Sequence, residues 1–185
     1  MEDEIIIRAK NGDKQAINQV IIEYAPVVEK FSYQMGNSKN DIDDITQEVF
    51  IKIFRFIHQF SHAKFTTWLY KITLNVTKDY YRKQKRNSLK LFKLPSFQRE
   101  DSFVVSDDQM LMDEQDHTLH NCILALDEKY RVPIILHYFH DCKYEEIAEI
   151  LGLNLSTVKT RLLRAKELLR KKLEQEERKE GGSFG

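Results

Sequence analysis

Glycine and proline, the residues that most readily interrupt a helix, are scarce in this chain, six and three among 185 residues. Between them the apolar residues recur at i, i+3 and i+4. "AINQVIIEYAPVVEKFSYQM" repeats Ile17, Val20, Ile21, Tyr24, Val27, Val28 and Phe31. "DIDDITQEVFIKIFRFIHQF" repeats Ile42, Ile45, Val49, Ile53, Phe56, Ile57 and Phe60. These series have the helical period and none of the alternation of a half-buried strand. Gly36-Asn37-Ser38 closes one helix, and Asn40 or Asp41 suits the cap of the next. The stretch from Leu94 to Asp116 loses the period, contains Pro95 and is rich in acids, so it reads as a linker. The pattern resumes near Thr118. The expectation is an all-α chain of two helical domains, residues 1–90 and 117–175, joined by a flexible acidic linker at 91–116. A polar tail at 176–185 follows, expected to fray.

Bulk charge is silent about partners, because 29 basic and 29 acidic residues cancel. Its distribution is not silent. Lys64 to Lys93 holds nine cations and one acid, Asp79, and Lys159 to Lys172 holds seven cations and one acid, Glu167. Only Cys122 and Cys142 occur, so no disulfide framework supports the fold and a reducing compartment fits. The start is acidic, unlike a signal peptide. The longest uncharged run, His117 to Leu126, is about half what a membrane span needs. These features predict a cytoplasmic protein that does not insert into a membrane.

The most specific pattern is "KYEEIAEILGLNLSTVKTRLLRAKELLRKKL". A short helix carries Ile147, Ala148 and Leu151, Gly152 permits a tight turn, Leu153 plugs it, and Asn154 stands at the N-cap of a longer helix. That is a helix-turn-helix. On a helical wheel Val158, Leu162, Ala165 and Leu169 fall within about 60° and make the packed face. Thr160, Leu163, Arg164 and Glu167 lie opposite, where Arg164 and Thr160 would meet base edges and Leu163 a thymine methyl. Lys159, Arg161 and Lys166, on the flanks, would meet phosphates.

"TWLYKITLNVTKDYYRKQKR" sets Trp68, Tyr70, Tyr80 and Tyr81 among Lys71, Lys78, Arg82, Lys83, Lys85 and Arg86. With Phe65 to Arg82 as a helix, Phe65, Leu69, Ile72 and Val76 form its buried stripe. Trp68, Lys71, Asn75, Lys78 and Arg82 form a second seam. Cations alone suit a duplex backbone, whereas aromatics beside cations suit unpaired bases, which stack for about 1–3 kcal/mol each.

"DIDDITQEVFIKIFRFIHQF", "FTTWLYKITLNVTKDYYRKQKR" and "YEEIAEILGLNLSTVKTRLLRAKELL", in that order, resemble the three hallmark stretches of bacterial sigma factors of the extracytoplasmic-function subfamily. The resemblance covers roughly residues 5–175. It implies a promoter-recognition subunit that binds core RNA polymerase, reads −35 duplex and −10 single-stranded DNA, and promotes melting in a stress or envelope response. An anti-sigma factor, free or membrane-anchored, is a further implied partner. Asp41 to Phe54 match the family's polymerase-binding helix, and with the exposed row beside it the expected set is Asp41, Asp44, Gln47, Glu48, Phe50, Ile51, Phe54 and Arg55. For −10 recognition and melting the set is His62, Lys64, Phe65, Trp68, Lys71, Asn75, Lys78, Asp79 and Arg82, with the loop His62-Ala63-Lys64 shaping a flipped-base pocket. For −35 recognition it is Ser156, Thr157, Lys159, Thr160, Arg161, Leu163, Arg164 and Lys166. The acidic linker resembles the segment that threads toward the RNA exit path. Lys143 departs from the Ser or Thr that usually caps the first helix of the pair, and Asp141 is the substitute expected to cap it.

Three other readings carry less. "HTLHNC" and "HYFHDC" share an H-x-x-H-x-C spacing that invites metal, but both lie in helical apolar context where His and Cys pack. Asp41, Asp43, Asp44 and Glu48 invite a nuclease, but acids in a first turn are explained by the helix dipole. A two-component type of regulator would need a strand-containing first domain. No nucleophile–base pair or phosphate-cradling glycine loop occurs, so no enzyme, cofactor or metal is expected.

Overall fold

The computed structural model describes residues 2–61, 64–91 and 114–181. Eight α-helices and no strand occur among the described residues, which matches the all-α expectation. They form two compact units, α1–α4 and α5–α8.

In the first unit α1 is Glu2–Lys10, α2 Lys14–Gln34, α3 Lys39–Phe56 and α4 Phe65–Leu91, with a 3₁₀ turn at Ile57–Gln59 after α3. The expected stripes supply its core: Val20, Tyr24 and Val28 from α2, Ile45, Val49 and Ile53 from α3, and Phe65, Leu69 and Val76 from α4. Ile45, Ile53 and Leu69 are completely buried, and truncating any of them to alanine costs about 2–5 kcal/mol. Phe56 departs from its stripe and is 40% exposed. The chain tightens to three residues per turn just beyond it, which shifts the period and keeps Ile57 in the core instead. α4 is buried well beyond its expected stripe, since Thr67, Tyr70, Thr73, Leu74 and Thr77 are buried too. At Thr73 the hydroxyl is satisfied on its own helix, its Oγ1 donating to the Leu69 carbonyl at 2.8 Å.

The cap of α3 falls on Ser38, whose hydroxyl oxygen accepts from the Asp41 N–H, and not on Asn40 or Asp41. Ser38 is extended (φ −69°, ψ 159°), the backbone shape an N-cap requires, while the other two are already helical. Asp41 does assist, accepting the Ser38 hydroxyl proton at 2.7 Å. Pro26 and Pro133 lie inside α2 and α6. Each removes one ladder hydrogen bond, and tertiary packing carries the helix through.

In the second unit α5 is Glu114–Leu124, α6 Glu128–Phe139, α7 Tyr144–Leu151 and α8 Leu155–Gly181. Helix thus resumes four residues before Thr118, and residues 176–181, expected to fray, continue α8. The linker expectation otherwise falls on residues 92–113, outside the described ones. Val132, Pro133, Ile134, Ile135 and Leu136 are all buried, so the middle of α6 is enclosed on every side, while its first turn reaches the surface. Ile147, Val158, Leu162 and Ala165 pack in the same unit. Cys122 and Cys142 are buried thiols outside any disulfide, and burial pushes the Cys122 thiol up from its ordinary pKa. No described helix is long and apolar enough to cross a membrane.

Candidate nucleic-acid interfaces

α7 ends as its sequence demands. Gly152 takes the left-handed conformation (φ 63°, ψ 39°), and the Leu153 N–H closes back on the Ala148 carbonyl at 2.9 Å. Asn154 then caps α8, its Oδ1 accepting from the Thr157 N–H at 2.7 Å. At the other end of α7 the expected cap fails. The N-cap is Lys143, and Asp141 instead occupies a left-handed backbone position (φ 52°). Lysine offers no acceptor, so the compensation is one-sided: the Lys143 N–H donates to the Glu146 carboxylate at 2.7 Å.

With both helices fixed, α8 presents the expected face. Val158, Leu162 and Ala165 are buried, whereas Lys159, Thr160, Leu163, Arg164 and Lys166 are exposed, Leu163 at 62%. Arg161 and Thr157 are half-buried, and Ser156 is exposed. The first turn of α6 approaches this face. Lys129 and Tyr130 line a cleft of about 280 Å³ together with Ser156, Thr157, Thr160, Arg161 and Arg164.

In the first unit a larger groove, about 800 Å³, lies between the end of α3 and α4. Its walls include Trp68, Asn75, Lys78, Asp79 and Arg82 of the expected seam. Sequence reasoning missed Lys52, Phe56, Gln59 and Ile72, which complete it. Lys52 reaches both Glu48 (3.9 Å) and Asp79 (3.8 Å), and Asp79 also pairs with Arg82 at 3.7 Å. Lys64 and Lys71 are exposed outside this groove, and His62 lies outside the described residues. Phe65 is buried in the core beneath it.

The aromatics of α4 divide by role. Tyr70 is a core residue, edge-on to Phe31 at 5.4 Å. Tyr80 is half-buried, donates its hydroxyl to Asp44 at 3.2 Å, and has its pKa raised by burial first and then by the carboxylates of Asp41 and Asp44. Tyr81 is 66% exposed. Trp68 does both jobs. It lines the groove, and it packs on Phe60 (5.2 Å) and edge-on to Phe65 (5.9 Å).

Along α3, Asp44, Gln47, Glu48, Ile51 and Arg55 form an exposed row, with Asp41 and Phe54 partly exposed. Phe50, expected in the same set, is only 6% exposed. It belongs to the core side of the helix and stacks under Phe54 at 6.1 Å. Neither H-x-x-H-x-C stretch assembles a metal cluster among the described residues. In the second, His137 Nδ1 is engaged with the Cys142 carbonyl at 2.9 Å, and Cys142 donates its thiol to the His140 carbonyl.

Residues 20–87 match Sigma-70 region 2, and residues 116–169 match Sigma-70, region 4. The class is therefore that of sigma-70-type transcription initiation factors, which bind DNA and are not enzymes. The chain is 33% identical over 176 residues to the ECF RNA polymerase sigma factor SigW of Bacillus subtilis, covering 91% of this chain and 94% of that protein. It is 30% identical over 183 residues to the ECF RNA polymerase sigma-E factor of Haemophilus influenzae, covering 94% and 95%. The chain belongs to the ECF sigma factors. Two solved structures share its fold: CnrH in complex with the cytosolic domain of CnrY (TM-score 0.69, 22% identity, 92% of this chain and 96% of that one) and RpoE of Bartonella quintana in complex with the anti-sigma factor NepR (TM-score 0.70, 21% identity, 85% and 96%).

Proposed function

We propose that the first unit binds core RNA polymerase through the exposed α3 row, with the α3–α4 groove receiving the melted −10 strand, while α8 reads the −35 duplex. The observation that carries this reading is the groove itself. It sets the indole of Trp68 and the amide of Asn75 beside Lys52, Lys78 and Arg82, the mixture that unpaired bases and their phosphates require. The domain boundaries follow as residues 1–90 and 117–175, with the acidic linker between them. An anti-sigma protein, as NepR is for the structurally similar RpoE, is the partner that restrains the chain, in a stress or envelope response. Promoter recognition places this work in the cytoplasm.

The test uses Asn75→Ala, because Asn75 is exposed and its loss leaves the core intact. Extruding a base costs a few kcal/mol, which a template with a pre-melted bubble has already met. Holoenzyme carrying Asn75→Ala should therefore lose permanganate reactivity at the −10 thymines and run-off product on duplex promoter, and recover on the bubble. Equal defects on both templates, or none on either, count against the melting role. Trp68→Ala is a poorer probe on its own, since it also removes two ring contacts and should lower the melting temperature.

A further inference from the structure

We propose that the cleft between the first turn of α6 and the start of α8 seats a backbone phosphate of the −35 duplex, with Lys129 as an anchor outside the reading helix. The inference rests on α8 being the −35 reader and adds a residue from a different helix. The cleft is lined by three cations, Lys129, Arg161 and Arg164, and by no carboxylate; Arg164 is the expected base reader at its rim, which leaves Lys129 and Arg161 for the phosphate. Its other lining residues, Tyr130, Ser156, Thr157 and Thr160, each carry a hydroxyl. The Thr160 hydroxyl donates to the Ser156 carbonyl at 3.0 Å, so it cannot donate to the anion as well.

Two features prepare the site. Lys129 holds its ammonium 5.0 Å from the centre of the Tyr130 ring, a cation–π contact that narrows where the charge can sit. Arg161 is half-buried, so less of its side-chain freedom remains to be lost on binding. The N-terminal dipole of α6 adds positive potential. Asp127 and Glu128 share that turn and offset part of it, but neither lines the cleft. A helix lying in the major groove has a phosphate strand on each side. Lys129 stands where α6 flanks α8, so it can grip one strand without reaching a base edge.

The assay is binding of holoenzyme to a duplex carrying the −35 element, with salt titrated, for the wild type, Lys129→Ala and Lys129→Arg. Losing one phosphate contact lowers the slope of log affinity against log salt by about 0.9. Raising salt from 50 to 200 mM should then weaken Lys129→Ala by about 3.5-fold less than wild type. At low salt the variant should bind cognate and −35-substituted duplexes more weakly by one common factor, and Lys129→Arg should restore the slope. An unchanged slope in Lys129→Ala, with wild type still discriminating −35 bases, overturns the anchor and leaves the reading helix standing. An altered base preference also overturns it, by making Lys129 a reader. If wild type does not discriminate −35 bases at all, anchor and reading helix fall together.

Discussion

Asp13 shows how much one half-buried carboxylate organises. One oxygen accepts from the Gln15 and Ala16 N–H groups at 2.9 and 3.2 Å and so caps α2, while the other takes the Arg8 guanidinium at 2.7 Å. The Arg8 hydrogen bond, followed by the Ala16 N–H, holds its carboxyl below the ordinary aspartate pKa of 3.8. A depressed folded-state pKa means that the carboxylate stabilises the fold above the unfolded value and stops doing so as pH falls through the folded one. Asp13→Asn keeps a capping oxygen and loses the charge. Its melting temperature should therefore sit below wild type at pH 7 and converge with it in strong acid, whereas Asp13→Ala should lie lower still at neutral pH. Thermal unfolding from pH 7 to pH 2 checks both curves, and parallel curves for wild type and Asp13→Asn would remove the charge from this account. Asp79 illustrates the opposite balance. Its pairs with Lys52 and Arg82 are long and exposed, and such pairs stabilise little. A phosphate entering the groove can replace that carboxylate at small cost.

Among the elements, the α7–α8 turn is where local chemistry is least negotiable. A Cβ at Gly152 would meet nothing within 4 Å, so space does not demand glycine; the φ of +63° does. Gly152→Ala should cost about 1–2 kcal/mol through the left-handed backbone alone, and Gly152→Asn less, since asparagine tolerates that region. Denaturant unfolding measures the pair, and equal losses would point to packing as the cause. Because the turn sets the angle of α8, Gly152→Ala should also weaken −35 binding beyond what its population of folded protein explains. α4 teaches the converse. Its buried stripe is legible from the period, but Tyr70, Thr73 and Thr77 are buried as well, because the helix is surrounded by α2 and α3 partners that a single-helix pattern does not contain.

For the whole molecule, zero net charge conceals two cationic faces, one on each unit, and it is their tethering that matters. Under the proposed reading each face is a DNA contact, and two such contacts on one chain raise each other's effective concentration, provided that the geometry allows both at once. Inserting about five base pairs between the −35 and −10 elements rotates one element by half a helical turn relative to the other. Holoenzyme should then bind about as tightly as to a duplex carrying a single element, and run-off transcription should collapse. Full activity on the lengthened promoter would mean that the units act independently.

Read alone, the sequence determined what depends on neighbours along the chain: the helical period, the Gly152 turn, the Asn154 cap and the solvent face of α8. These are short-range properties, set by backbone preference and by the spacing of apolar residues on one helix. What only the tertiary structure decided depends on residues distant in sequence. Phe56 was turned outward by the 3₁₀ turn that follows it and now faces the groove. Tyr70 became core because Phe31 of α2 lies against it, and Tyr80 became a tether because Asp44 of α3 reaches it. Lys52 and Lys129 sit in stretches of mixed sign where no charge run marks them. Each joins a site because a second helix carries its other wall, and a groove between two helices has no period on either one.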